Sequence, residues 1–172
     1  MRCFHRLAAI RYVVIGMKHR IVYGEAFSIL GIQACVKQGA ETSELFGNIW
    51  QQFEQNIARI EPLAIGGQYY GINFPTAAEG VSEYLAGMRV ADNSPVPDGL
   101  IKRTVPAGDY AVLECTVEGI GPAYQHIFGE WLPGAQFAFN PQRPVFEEYP
   151  EKGADLPVCI HIPITQAAGK QA

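Results

Sequence analysis

The sequence predicts an α+β domain in which a strand-helix-strand-strand unit occurs twice, its antiparallel sheets related by a pseudo-two-fold axis around a central cleft able to take a ligand. Three observations predict it. Gly108-Asp109-Tyr110-Ala111-Val112-Leu113 echoes Gly24-Glu25-Ala26-Phe27-Ser28-Ile29; Ile127-Phe128-x-x-Trp131 echoes Ile49-Trp50-x-x-Phe53; and each helix-like segment precedes two strand-like runs. A single continuous antiparallel sheet with two helices satisfies the same pattern, and the sequence leaves that choice open.

From Ile21 to Val36 the chain is rich in β-branched and aromatic residues and lacks proline, which predicts a first strand with a break near Gly24. Thr42 or Ser43 then offers an N-cap, with Glu44 in the first turn. Phe46, Ile49, Trp50, Phe53, Ile57 and Ile60 recur at helical spacing, so an amphipathic helix follows and ends before Pro62. Residues 68–74 and 82–90 read as two strands joined by a Pro/Gly-containing hairpin or meander, and a turn-rich stretch closes this half. Leu100 to Val105 is expected to add a strand at the junction of the halves. In the second half a helix begins near Pro122, where a missing N–H leaves no bond unmade. Ile120, Tyr124, Ile127, Phe128 and Trp131 fall at helical spacing, Pro133 ends the helix, and residues 144–149 and 158–164 complete the set as strands.

Residues 1–16 combine Arg2 and Arg6 with an apolar stretch, but Arg11 interrupts it and no small-x-small cleavage site follows. They are set apart as an N-terminal extension or a non-native start, and residues 17–172 as one domain. The remaining length suits a single core.

Charged residues make up 17% of the 172 residues and the formal net charge is −4, so no basic surface is available to neutralise a phosphate backbone. Direct nucleic-acid binding is therefore not expected. No apolar run is long enough for a transmembrane helix. Cys3, Cys35, Cys115 and Cys159 show no C-x-x-C spacing and are expected to be small buried hydrophobes in a cytoplasmic, reducing setting. None of the four serines sits in G-x-S-x-G, and His5, His19, His126 and His161 have no paired spacing that would complete a metal set. No metal and no cofactor are expected. Gly119-Ile120-Gly121 lacks a third glycine and a following Lys-Ser/Thr, so it reads as a strand-to-helix turn.

What remains is aromatic placement and one carboxylate. Tyr69, Tyr70, Tyr84, Tyr110, Tyr124, Trp131, Phe146 and Tyr149 fall in the predicted strands or second helix, where most aromatics supply core area. In Pro144-Val145-Phe146-Glu147-Glu148-Tyr149, side chains alternate, so Glu147 shares a face with Val145 and Tyr149 while Glu148 shares the other with Phe146. One glutamate must lie on an apolar face, where it needs a tyrosine hydroxyl or a ligand cation as partner. Aromatic faces beside it would favour a delocalised or quaternary cation.

These residues resemble the GyrI-like small-molecule-binding domains, also called bacterial transcription-activator effector-binding domains. The match is carried by residues 21–32, Tyr70-Gly71, residues 84–88, Pro106-Ala107-Gly108-Asp109-Tyr110, Trp131-Leu132-Pro133, residues 144–149 and Ile160-His161-Ile162-Pro163-Ile164. The resemblance implies a duplicated fold whose central cleft holds hydrophobic, often cationic compounds against a glutamate and aromatics. Glu147 matches that glutamate, and Tyr149 and Trp131 match accompanying aromatic positions. Tyr70, Tyr110 and Tyr124 are added as ligand-binding candidates from strand and helix phase.

Members of that family occur fused to a helix-turn-helix domain, alone as drug-binding or gyrase-inhibiting proteins, and in some branches as hydrolases of cyclopropane-bearing compounds. The expectation here is a standalone binding protein for small hydrophobic or cationic compounds, because residues 1–16 cannot form a helix-turn-helix; a protein partner would be a DNA-binding regulator or gyrase. Two alternatives stand beside it. One is a hydrolase using Glu147 as general acid or base, and the other is a gyrase-inhibitor-like interaction module without a small ligand.

Overall fold

A computed structural model describes residues 19–37 and 42–166, so the extension at residues 1–16 and Cys3 lie outside the described residues. Strand β1 (His19–Gly24) leads into β2 (Phe27–Lys37), helix α1 (Thr42–Ile60), a 3-10 turn (Glu61–Leu63), β3 (Ala64–Pro75) and β4 (Val81–Val90). The second unit runs β5 (Ile101–Val105), β6 (Gly108–Cys115), α2 (Ile120–His126), a π-helical turn (Ile127–Trp131), α3 (Leu132–Gly134), β7 (Phe137–Phe139), β8 (Val145–Tyr149) and β9 (Val158–Gln166). The strand-helix-strand-strand order is thus present twice. The predicted first strand divides at Glu25-Ala26 into β1 and β2.

All pairings are antiparallel and join in one sheet of order β1-β6-β9-β8-β3-β4-β2-β5, with the short β7 on the end of β9. The continuous sheet is therefore the arrangement adopted, the two halves meeting where β3 pairs with β8. Each unit's leading strand is exchanged. β1 pairs with β6 of the second unit and β5 pairs with β2 of the first. The strand at Leu100–Val105 accordingly lies at an outer edge and not at the junction: a two-residue link to β6 leaves it beside β2, the pseudo-symmetric counterpart of β6.

The exchange bends the sheet. β1 and β2 are six strand positions apart, and so are β5 and β6. That is roughly 29 Å in a flat sheet. Only two residues connect each pair, a reach of about 11 Å. The sheet must curl on one face, and the curled face is filled by strand residues alone: Ile29, Tyr70, Ile72, Leu85, Val105, Tyr110, Val112 and Phe146. Phe27 of β2 consequently packs 5.7 Å from Phe146 of β8, ring to ring. Gly31 and Gly87 face each other across β2 and β4, where a Cβ on Gly31 would come within 2.6 Å of the Gly87 Cα.

The opposite face carries both helices. Ile49, Phe53 and Ile60 of α1 pack on Leu30, Tyr84, Ala86 and Met88, while Ala123 and Ile127 pack on Ala111, Leu113, Ile160 and Ile162. The second helix does not stop before Pro133. The Leu132 N–H bonds the Ile127 carbonyl, five residues back, and this wider turn carries the chain through a proline that has no N–H to give. Burial of the cysteines is less than expected: Cys115 and Cys159 are half-buried and Cys35 is exposed. β5 covers β2 only over Phe27–Gly31, which leaves the strand around Cys35 as an open edge. Among the described residues no helix is long and apolar enough to cross a membrane.

Candidate functional site

Strand parity and the β3/β8 register decide what faces the helices at the junction. Tyr69 pairs with Tyr149, Gly71 with Glu147 and Asn73 with Val145. This row lies between α1 and α2, so Glu147 projects into the seam under both helices and is only 5% exposed. Its neighbour Glu148 points to the other face, 3.5 Å from His161 Nε2.

A buried carboxylate requires donors. The Tyr124 hydroxyl of α2 donates to Glu147 Oε1, whereas Oε2 has no hydrogen-bond partner. Tyr84 of β4 completes the seam from the α1 side. Its hydroxyl accepts a 3.1 Å bond from the Trp50 indole N–H, and its ring packs edge-on to Phe46. The Tyr84 hydroxyl and Glu147 Oε2 both crowd the place that a Cβ on Gly71 would occupy, with Oε2 at 2.8 Å from it. Glycine at this strand position is what lets the two groups approach.

Burial pushes the Glu147 carboxyl up to about 7, against the lowering effect of the Tyr124 hydrogen bond and of its own backbone N–H. Burial, and then the charge of Glu147, hold the hydroxyls of Tyr84, Tyr124 and Tyr149 well above the usual phenol range, so all three stay protonated donors. The Cys115 thiol is pushed up to about 11 by the same two causes. At neutral pH the seam holds a carboxyl poised between its two forms, among hydroxyls that cannot ionise.

A cavity of about 740 Å³ opens beside it, walled by Trp50, Phe53, Ile57, Tyr69, Val117 and Tyr149, with Glu54 and Lys152 adding one charge of each sign. Trp50 stands edge-on to Tyr149 at 5.2 Å and to Phe53 at 5.6 Å. Trp50 and Tyr149 thus belong to the cavity wall, while Glu147 is not among its lining residues. Its size and aromatic walls suit a small organic molecule. A second cavity, of about 550 Å³, lies at the other end of the junction and has a mixed lining, with Asn73, Ser82 and Arg143 beside Val36, Phe139 and Val145. Among the described residues no cluster of three or more His, Cys, Asp or Glu side chains is placed to hold a metal.

Of the candidates named from sequence, Glu147, Tyr149 and Tyr124 come together at this seam. Tyr70 and Tyr110 do not: both lie on the curled face, Tyr70 against Phe27 and Phe146, and Tyr110 with its hydroxyl on the Pro106 carbonyl and Arg143 over its ring. Trp131 sits 5.2 Å from His19 of β1, three strands away from β8. Trp50, Tyr84 and Gly71 belong to the seam and are not among the ligand-binding candidates named from sequence. Helical spacing marks Trp50 only as core, and the signal for Gly71 is a glycine inside an aromatic strand.

A family model for Cass2, an integron-associated effector binding protein, matches residues 20–164. The transcriptional regulator BrlR of Pseudomonas aeruginosa is 31% identical over 159 residues, which span 86% of this chain and 56% of BrlR. The chain thus covers little more than half the length of that relative. SAV2435, solved with bound tetraphenylphosphonium, superposes with a TM-score of 0.73 at 18% identity, covering 87% of this chain and 94% of that one. An integron cassette protein of Vibrio cholerae gives 0.63 at 19% identity, covering 86% and 95%. At these identities the two structures share the fold.

Proposed function

The chain belongs to the Cass2 family of integron-associated effector binding proteins, with the GyrI-like fold, and from that premise we propose that it binds small hydrophobic cations, with Glu147 as counter-charge. The observation that carries this reading is the Glu147 carboxylate, buried at the junction with one oxygen unpartnered, beside an aromatic cavity of about 740 Å³. A cation bound there gains from the carboxylate and from the faces of Trp50 and Tyr149, an attraction of about 2 kcal/mol per desolvated cation–π contact. The structure of SAV2435 bound to tetraphenylphosphonium is a fact about that protein; it supports trying the same class of ligand here.

A second reading, in which Glu147 acts as general base on a bound electrophile, is favoured by one observation: a carboxyl raised to about 7 with a protonated tyrosine on it suits proton transfer near neutral pH. One experiment separates the two. The protein and its Glu147→Gln variant are titrated with hydrophobic cations and uncharged analogues of the same shape, following thermal shift and the fluorescence of Trp50, and each mixture is examined by mass spectrometry. Binding with a preference for cations that vanishes in the variant, without product, supports the binding protein. Product that appears with wild type alone supports the enzyme. Absence of binding to either ligand set removes the cleft as the functional site. Coupling of ligand occupancy to a protein partner, such as a DNA-binding regulator, is part of the proposal and would be read by capture with and without ligand.

A further inference from the structure

The Gly71–Glu147 pair lies at the centre of the β3/β8 register, and the facing pairs on either side of it each open on a cavity. Tyr69 and Tyr149 line the aromatic one, whereas Asn73 and Val145 line the second, of about 550 Å³. The correspondence extends outward. Val36 of the second cavity stands as far along the chain from the head of β2 as Val117 of the first stands from the head of β6, and those two strands are equivalents in the duplicated unit. The second cavity is thus the pseudo-symmetric copy of the first, at a size that takes a small organic molecule.

The two copies differ in chemistry. Trp50, Phe53, Tyr69 and Tyr149 wall the first, where Glu54 and Lys152 balance each other in charge. The second has Val36, Val145 and Phe139 as its apolar wall, and Lys37 and Arg143 outnumber Glu79. Lys37 also takes the place that Glu118 holds in the other unit, so the charge at that position is reversed. Arg143 is fixed at the wall by the carbonyls of Pro106, at 2.7 Å, and Ala107, and by the Tyr110 ring. Carbonyls and a ring do not neutralise it. The Ser82 hydroxyl donates to Asn73 Oδ1 at 3.4 Å, and the Asn73 amide N–H2 group is left to donate. Donors and positive charge beside an apolar wall suit an anion with an apolar body. We propose that this cavity is a second ligand site, taking small organic carboxylates whose charge meets Lys37, Arg143 and Asn73 while the body packs on Val36, Val145 and Phe139. The proposal goes beyond the cation-binding reading and does not rest on it.

The test titrates naphthoate and the uncharged naphthalenemethanol calorimetrically into the full chain, with tetraphenylphosphonium titrated separately. Lys37→Glu and Lys152→Glu form a matched pair, because both lysines are exposed and each lines one cavity. Naphthoate is expected to bind wild type more tightly than the alcohol, to weaken about five-fold or more in Lys37→Glu, and to be unchanged in Lys152→Glu. Asn73→Asp, close in shape but acidic, should weaken it as well, with circular dichroism confirming the fold. No binding of naphthoate, no preference for it over the alcohol, or sensitivity to Lys152→Glu in place of Lys37→Glu overturns the second site. Phosphonium binding that persists in any of those cases leaves the cation reading standing, and its absence beside the expected naphthoate pattern overturns that reading alone.

Discussion

Gly71 of β3 and Glu147 of β8 are paired Cα to Cα at the junction of the two halves, and the glycine leaves room for the Glu147 carboxylate and the Tyr84 hydroxyl to approach the strand at the same place. A Cβ at residue 71 would stand 2.8 Å from Oε2 and closer still to the tyrosine oxygen. Gly71→Ala is therefore expected to push both side chains off their positions. The cost should be about 1–3 kcal/mol of stability, as for overpacking of a core, together with loss of ligand binding. Denaturant unfolding and ligand titration of the variant check it; wild-type values for both would show that the seam yields freely.

Glu147 should make the protein less stable as pH rises. Its folded-state carboxyl titrates at about 7, above the ordinary value of 4.5, so between those values the folded chain holds a proton that the unfolded chain has released. The stabilisation is full below about 4.5, declines through the window, and is gone above about 7. In Glu147→Gln the decline is expected to be missing. The variant should match wild type near pH 5 and exceed it at pH 8 by something on the order of 3 kcal/mol. Parallel stability-versus-pH curves for the two proteins would contradict this.

How far the site could be read from sequence follows from which relations are local. The duplication, the run of α1 to Ile60 and the face of Glu147 all rest on periods of two or 3.6 within one segment, and local periods survive folding. The pairing of β3 with β8 joins residues over seventy positions apart, and it alone places Gly71 against Glu147 and fixes the seam. Parity cannot say which face of a strand meets a ligand when both faces are buried. Tyr70 and Tyr110 therefore lie in the curled core although their strand phase is regular. Trp131 is at helical spacing from Tyr124, yet the π-helical turn between them directs it toward β1. The three-residue β7 is too short to carry any period.

Two glycines are expected to respond to alanine in opposite directions. Gly47 lies on the exposed side of α1 with nothing within 4 Å of a Cβ built there, so Gly47→Ala should stabilise the protein by about 0.5–1 kcal/mol through helix propensity alone. Gly31 faces Gly87 across the β2/β4 ladder, and its Cβ would strike the backbone of β4. Backbone cannot turn aside as a side chain can. Gly31→Ala should lower stability by several kcal/mol or prevent folding, and melting temperatures of the two variants test the contrast directly.

Tyr124→Phe separates the counter-charge from its support. The Tyr124 hydroxyl is the side-chain donor on Glu147 and lowers its proton affinity against burial. Without it the carboxyl should titrate above the wild-type value of about 7. Below that value Glu147 is neutral in both proteins and the substitution should cost little. Above it, the ionised carboxylate of the variant lacks its partner, and the loss should reach about 1–3 kcal/mol, the cost of leaving a buried acceptor unmade. Binding of a hydrophobic cation must displace the Glu147 proton at low pH, so affinity is expected to rise with pH in both proteins, but with its midpoint moved upward in Tyr124→Phe. Tyr124 itself remains protonated across this range, because burial holds its hydroxyl well above the usual phenol value. A pH series of cation affinity with an unshifted midpoint would mean that another group, not Glu147, supplies the charge.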